Sequence, residues 1–421
     1  MGDVLRIPLR IVLTVSLLLL AAFSAHADTP PNVVMIISDD QAWNDYGFMG
    51  HEAIKTPHLD RLASEGMLYT RGYVPGSLCR CSLATLATGL YPHQHGITSN
   101  DPPDGVDRHA MLRFIEAAST LPALLARQGY ASLQTGKWWE GNYQLGGFTH
   151  GMTHGDPKRG GRHGDEGLKI GREGLEPIKK FLDETKDKPF FLWYAPFLPH
   201  EPHNPPERLL AQYRAEGRPE NVAKYWAMCA WFDETIGELL GLLEAEGKRE
   251  NTMVVYVGDN GWVANPNGPG FDDRSKRSPY DAGLRTPIIV HWPGRIEPRR
   301  DDVTPVLSLD LVPTILRACG AEVTSDMPGV DLLSGKAKER KRIFGEVFTH
   351  DAVDLDHPER SLLYRWCVDD EWKLILPQDT AVPAELYRIT VDPFEQNNLA
   401  AEEPGRVKKM SEAIEAWWAL P

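Results

Sequence analysis

The chain has 421 residues, 42% hydrophobic and 25% charged, with a formal net charge of −14. That balance fits an ordinary globular protein and argues against nucleic acid or an anionic membrane as a general partner. Five cysteines, at positions 79, 81, 229, 319 and 367, are too few and too scattered for a disulfide scaffold, and the odd count leaves at least one thiol unpaired or chemically altered in an oxidising compartment.

The chain opens on Arg6 and Arg10, an apolar stretch from Ile11 to Phe23, and the small-residue end Ala25-His26-Ala27. This is the pattern of a secretory signal peptide, with cleavage expected after Ala27 and a secreted or periplasmic destination. The stretch falls short of the ~20 residues that cross a bilayer, so no stable membrane span is expected. Residues 28–341 are then expected to form one large catalytic α/β unit, and 342–421 a small C-terminal subdomain.

Strand candidates are short, apolar and rich in β-branched or aromatic residues: Asn32–Ser38, Pro189–Ala195, Thr252–Gly258 and Thr286–Trp292. Their near-continuous apolarity fits strands buried on both faces of a large, mostly parallel sheet. Between them lie helical patterns at Leu59–Glu65, Ser119–Gln128 and Val222–Glu246, two of them stopped by Gly66 and Gly129. The alternation predicts an α/β sheet sandwiched between helices. The Gly- and His-dense segment 148–171 reads as a surface insertion. Past Arg342 come shorter strands around Ile343–Phe348, Leu362–Val368 and Trp372–Leu376, then a closing helix over Pro404–Ala419, together a small α+β subdomain.

Two buried strands run straight into acidic pairs, Asp39-Asp40 and Asp259-Asn260. Ligands of open α/β sheets bind beyond the carboxyl ends of strands, so both pairs are placed to meet in one crevice. Three carboxylates and an amide oxygen form a hard ligand set, suited to Ca²⁺ or Mg²⁺. Read singly, Asp-Asp is as much a helix cap and Asp-Asn-Gly a turn. Cys79 stands just before a short helical pattern ending at Thr88-Gly89, where free N–H groups favour an anion; a structural buried cysteine is the plainer alternative. Lys137 follows the strand-like run YASLQTG, His200 follows the Pro189–Ala195 strand, and Lys276 precedes the next one. Together they supply what a tetrahedral anion needs: fixed positive charge for its oxygens and a donor for a leaving alcohol. His93 and His95, flanking Gln94, are weaker candidates for ligand contact.

These segments, in this order, resemble the sulfatases of the alkaline phosphatase superfamily: PNVVMIISDDQAWNDYGFMG, TPHLDRLASEGMLYTRGYV, the Cys79–Gly96 stretch, GKW, APFLPHEPH, VVYVGDNGW, KRSPYDAGLRTPIIV, SLDLVPTIL and ELYRITVDPFEQNNLA. The resemblance spans nearly the whole chain after Ala27. It implies that Asp39, Asp40, Asp259 and Asn260 bind one divalent cation, most often Ca²⁺, with Mg²⁺ as the alternative. It also implies that Cys79 is oxidised to formylglycine, whose hydrated aldehyde is the nucleophile, by a formylglycine-generating or anaerobic sulfatase-maturing enzyme. Lys137 and Lys276 would then stabilise sulfate oxygens, and His200 would protonate the departing alcohol.

Two motifs depart from the family pattern. Cys-x-Pro-Ser-Arg is here Cys79-Arg80-Cys81-Ser82-Leu83, with Arg80 as an alternative source of the guanidinium. The family's GKWH is GKWW, placing Trp139 where a histidine is usual and leaving His150 or His154 as substitutes. The expected activity is hydrolysis of carbohydrate or small aryl or alkyl sulfate esters. The alternatives are phosphate or phosphonate ester hydrolysis on the same scaffold, and a non-catalytic relative that binds sulfated glycans.

Overall fold

The computed structural model describes residues 29–155 and 161–420; the segment expected to be a signal peptide lies outside them. Among the described residues no helix is long and apolar enough to cross a membrane.

The core is an eight-stranded sheet: β1 (Asn32–Ser38), β2 (Met67–Tyr69), β3 (Ala131–Gly136), β4 (His150–Gly151), β5 (Phe190–Ala195), β6 (Thr252–Gly258), β7 (Ile288–His291) and β8 (Arg299–Asp301), in the order β4-β3-β5-β1-β6-β7-β2-β8. The side-chain period of two explains the apolar runs. Along β1, Val33, Met35 and Ile37 pack into one core with Leu83, Leu86, Ile115 and Ile315, while Val34 and Ile36 pack into the other with Leu59, Ile178, Phe232 and Leu239. Helices cover both faces, so neither set of positions tolerates a polar residue. The longest is α1 (Glu220–Ala245), matching the sequence pattern within two residues at its start.

Two features differ from the sequence expectation. The strand at Ile288–His291 pairs antiparallel with β6 and with β2, inside a sheet whose β4-β3-β5-β1-β6 half is parallel. Continuous apolarity reports burial on two faces; it carries no information about strand direction. The presumed surface insertion contributes the edge strand β4, paired with Leu133 and Gln134, and buries Thr153, Gly164 and Gly167. Glycine allows that approach: a Cβ on Gly167 would lie 2.4 Å from the carbonyl oxygen of Gly136.

A second, antiparallel sheet follows: β9 (Arg342–Phe348), β10 (Leu362–Asp369), β11 (Trp372–Pro377) and β12 (Glu385–Arg388). Its last strand was not among the strands expected from sequence. The closing helix Pro404–Trp417 buries Met410 and Ile414 against Cys367, Leu374 and Leu386. A fully buried Lys373 reaches Asp281 at 2.7 Å and Glu395 at 2.8 Å, tying this sheet to the loop that precedes β7.

Candidate active site

β1 and β6 pair parallel and in register from Asn32–Thr252 to Ser38–Gly258. The acidic pairs that follow therefore leave the sheet side by side, held by Asp259 N–H to the Ser38 carbonyl at 2.9 Å and Gln41 N–H to the Asn260 carbonyl at 3.1 Å. On the other side of β1, β5 ends at the same level, and Asp39 N–H donates to the Leu198 carbonyl at 3.0 Å. Beyond it β3 ends at Gly136, and Lys137 N–H reaches the Ala195 carbonyl at 2.7 Å. Four adjacent parallel strand ends thus deliver Lys137, His200, Asp39-Asp40 and Asp259-Asn260 to one crevice.

Backbone shape at two points is tied to this geometry. Asp40 has φ 65°, a left-handed conformation uncommon outside glycine, and its N–H donates to Asp259 Oδ1 at 3.0 Å. Gly136 has φ +75°, and any Cβ there would lie 1.8 Å from the Ala195 carbonyl oxygen. Only glycine allows Lys137 to follow the strand this closely.

The eight residues to which the family resemblance gives a role meet here, and all but His200 are buried. Lys137 Nζ lies 2.6 Å from Asp39 Oδ1 and 3.7 Å from Asp259 Oδ2. Lys276 Nζ lies 2.7 Å from both oxygens of Asp40, and Asn260 Nδ2 donates to Asp40 Oδ1 at 2.6 Å. His200 Nε2 is 3.4 Å from Asp40 Oδ2, and Cys79 Sγ is 3.9 Å from Asp40 Oδ1. Cys79 is the first residue of the wholly buried helix Cys79–Thr88, one position further in than the sequence suggested.

The charges are strongly coupled. Burial pushes Asp39 well above the usual carboxylate range against the pull of Lys137, and burial raises Asp259 as well. Burial acts the same way on Asp40, but Lys276, His200 and Lys137 outweigh it and hold that carboxyl low. Burial would lower both lysines; Asp39 beside Lys137 and Asp40 beside Lys276 raise them instead. Burial drives the His200 ring well below the ordinary imidazole range, and pushes the Cys79 thiol up to about 12. At neutral pH that side chain is an un-ionised thiol, a poor nucleophile.

The donor set fits a hard cation. Asp39 Oδ2, Asp259 Oδ2 and Asn260 Oδ1 are buried with no hydrogen-bond partner among the described residues. Leaving such oxygens uncompensated is costly, and they are the atom type that Ca²⁺ and Mg²⁺ select. Three carboxylates against two lysines leave one excess negative charge; a divalent cation reverses that sign and makes the crevice receptive to an anion.

Other expectations resolve differently. Arg80 turns away from the crevice: Nε and Nη2 grip Glu140 at 2.7 and 2.6 Å, and Nη1 rests 2.8 Å from Met111 Sδ. Cys81 Sγ bonds the Leu78 carbonyl at 3.2 Å, and all five cysteines are free and buried. His93 pairs with Glu346 at 2.7 Å and stacks on Trp418, whereas His95 bonds Thr85. His150 packs on Phe181 and His154 on Tyr143, so neither takes the place of the absent histidine. The ring that does come close is His163, which sequence reasoning missed. It lies 5.3 Å from Trp139 and 5.2 Å from Phe197, whose other neighbour at 4.3 Å is His200. The bond from Trp138 N–H to the His163 carbonyl at 3.2 Å fixes it beside the residue following Lys137. Nothing in the local pattern of a Gly- and His-rich loop distinguishes this histidine from the others.

Comparison with known proteins gives this arrangement its context. The profile of the sulfatase family matches residues 31–321, and that of the N-sulphoglucosamine sulphohydrolase C-terminal region matches 270–416. The chain is 30% identical to the N-acetylgalactosamine-6-sulfatase of Rattus norvegicus over 362 residues, covering 75% of this chain and 67% of that protein. It is 24% identical to the N-acetylgalactosamine-6-O-sulfatase of Bacteroides thetaiotaomicron, covering 92% and 93%. The chain spans about two thirds of the length of most of the mammalian N-acetylgalactosamine-6-sulfatases it matches. Its fold is that of the crystal structure of Ps i-CgsB in complex with k-i-k-neocarrahexaose, with a TM-score of 0.74 at 23% identity over 93% of each chain. With a family profile covering well over half of its length and a 30%-identical relative, the chain belongs to the sulfatase family of sulfuric ester hydrolases.

Proposed function

We propose that this protein hydrolyses sulfate esters of carbohydrates after export from the cytoplasm, using one divalent cation, most simply Ca²⁺, and formylglycine made from Cys79 by a maturation enzyme. The observation that carries the reading is the trio of buried oxygens on Asp39, Asp259 and Asn260 that accept no hydrogen bond among the described residues, in a cluster with Cys79 and two lysines. The carbohydrate class is supported by the relatives, named for a sulfated amino sugar.

The bound cation supplies Lewis acidity toward sulfate oxygens, and the modified residue 79 supplies the hydroxyl nucleophile that a buried thiol is not. Asp39, Asp40, Asp259 and Asn260 would hold the cation. Lys137 and Lys276 orient the ester and carry the negative charge that grows on its non-bridging oxygens. His200, on the rim of the cluster, is placed to protonate the departing alcohol once the anionic ester beside it offsets the burial that keeps its ring neutral. Burial of the carboxylates and lysines keeps bulk water from screening these charges.

The test is mass spectrometry of the peptide containing Cys79, from protein co-produced with a maturation enzyme, alongside sulfate release from a panel of sugar sulfates. Aldehyde at position 79 with sulfate release supports the reading. Unmodified thiol with binding but no turnover indicates a glycan-binding relative. Faster turnover of matched phosphate esters indicates a phosphohydrolase.

A further inference from the structure

Trp139 separates the crevice from a second recess. On one side its ring centroid lies 5.8 Å from Lys137 Nζ. On the other it lines a cavity of about 350 Å³ together with Arg108, Leu112, Gly141 and Arg162, within the usual size range of small-molecule sites, about 300–1,000 Å³. The guanidinium carbons of Arg108 and Arg162 stand 5.1 and 5.0 Å from the Trp139 ring centroid. Cation–π contact with the ring holds both forks in place at the cavity wall.

The two guanidinium groups are close to each other at this wall. Both arginines pair with the single carboxylate of Asp101, so among the described residues two guanidinium groups share one half-buried partner. The rim acid Asp107 is turned to His109, accepting from its backbone N–H at 2.9 Å. Two donor nitrogens of the lining residues are buried with no hydrogen-bond partner among the described residues: Arg108 Nη2 and Trp139 Nε1. Buried donors of this kind are costly unless a ligand satisfies them. Arg162 keeps 45% of its side chain exposed, while its Nε and Nη2 already hold the two oxygens of Asp101.

We infer that the Arg108–Trp139–Arg162 recess is a second anion subsite, taking a sulfate or carboxylate elsewhere on the sugar whose sulfate ester enters the crevice. The preferred substrate is therefore a sugar carrying two anionic groups. This rests on the sulfatase reading for the first group, while the recess stands on its own geometry. Arginine suits the role because Arg108 Nη2, which the ion pair with Asp101 leaves without a partner, can donate a charge-assisted hydrogen bond to either oxyanion.

The experiment measures binding by titration calorimetry on the full chain in its thiol form with Ca²⁺, so that no turnover intervenes. The ligands are two matched pairs: galactose 6-sulfate against galactose 4,6-disulfate, and glucose 2-sulfate against glucuronic acid 2-sulfate. A gain of about tenfold for the doubly anionic member of either pair is expected, the equivalent of one charge-assisted hydrogen bond. The first pair reports a second sulfate and the second pair a carboxylate. Arg162→Gln and Arg108→Gln should erase the gain and leave the singly charged ligand unchanged. Equal affinities within both pairs, or a gain that survives in both variants, overturns the subsite. If the matured enzyme releases no sulfate while the binding gain persists, the sulfatase reading falls and the subsite stands.

Discussion

Lys137 Nζ sits 2.6 Å from one oxygen of Asp39 while the other oxygen of that carboxylate, buried, bonds to nothing among the described residues. One side of the group is neutralised by the protein, and the other joins Asp259 Oδ2 and Asn260 Oδ1 as a buried oxygen without a hydrogen bond. The cluster is therefore assembled at a cost that an added cation relieves.

Ca²⁺ should stabilise the fold measurably. At a hundredfold excess over its dissociation constant the gain is about 2.7 kcal/mol, read as a rise of a few degrees in Tm that a chelator reverses. Asp259→Asn should weaken the effect at least tenfold in Ca²⁺ concentration. A melting curve indifferent to Ca²⁺, Mg²⁺ and chelator would remove the cation from the site.

His200→Ala should separate substrates by leaving group. A residue that protonates the departing oxygen contributes about 10²–10⁴ in rate, and that loss should appear in full for sugar sulfates. Aryl sulfates with acidic phenols need little protonation and should lose far less. An equal loss on both classes would make His200 a binding residue only.

Gly136→Ala should be among the most damaging single-methyl changes in the chain. The added Cβ meets the Ala195 carbonyl carbon at 2.2 Å and its oxygen at 1.8 Å, on a backbone with φ +75°. The strain is about 2–4 kcal/mol, and relief requires β3 to part from β5 just where Lys137 leaves the sheet. Denaturant melts should show the loss. Gly129→Ala, at a positive φ but with open space around it, should cost only about 1 kcal/mol.

Arg80→Ala should destabilise by about 3–5 kcal/mol, because it strands the buried carboxylate of Glu140. The double variant Arg80→Met with Glu140→Leu should recover most of that in equilibrium unfolding. If Arg80→Ala folds normally and loses only ester hydrolysis, the side chain serves the substrate after all.

Acid stability should depend on His95. Ile97 N–H donates to its Nδ1 at 3.0 Å, which places the proton on Nε2 facing Thr85 Oγ1 at 3.2 Å. Burial, with His93 and Arg80 adding to it, lowers this ring to about 3. Between pH 6.5 and 3 the unfolded chain therefore binds a proton that the folded one refuses, so this contribution is complete above pH 6.5 and falls as the pH drops. The slope is up to about 1.4 kcal/mol per pH unit. His95→Gln should flatten the stability curve by one proton between pH 4 and 6, while costing about 1–3 kcal/mol at pH 7.

The strands and their ends were legible because two-sided burial leaves a local record. Asn32–Ser38 and Thr252–Gly258 match their apolar runs residue for residue, and the acidic pairs follow at once. The direction of Ile288–His291 left no such record, because parallel and antiparallel interior strands bury the same residues. Glu385–Arg388 was missed because a four-residue strand with charged ends, half of it facing the closing helix, has too little periodicity to register.

Within the site, sequence alone determined which groups follow the strand ends: three carboxylates, an amide, a lysine and a histidine, with a cysteine opening a helix. Chemistry at a strand end follows from chain adjacency, and adjacency is written in the sequence. The tertiary structure alone decided who meets whom across the sheet. Arg80 pairs with Glu140 instead of reaching the crevice, and His163, not His150 or His154, approaches Trp139. Those choices depend on how distant loops pack against one another, a contest between surfaces that no local run of residues encodes.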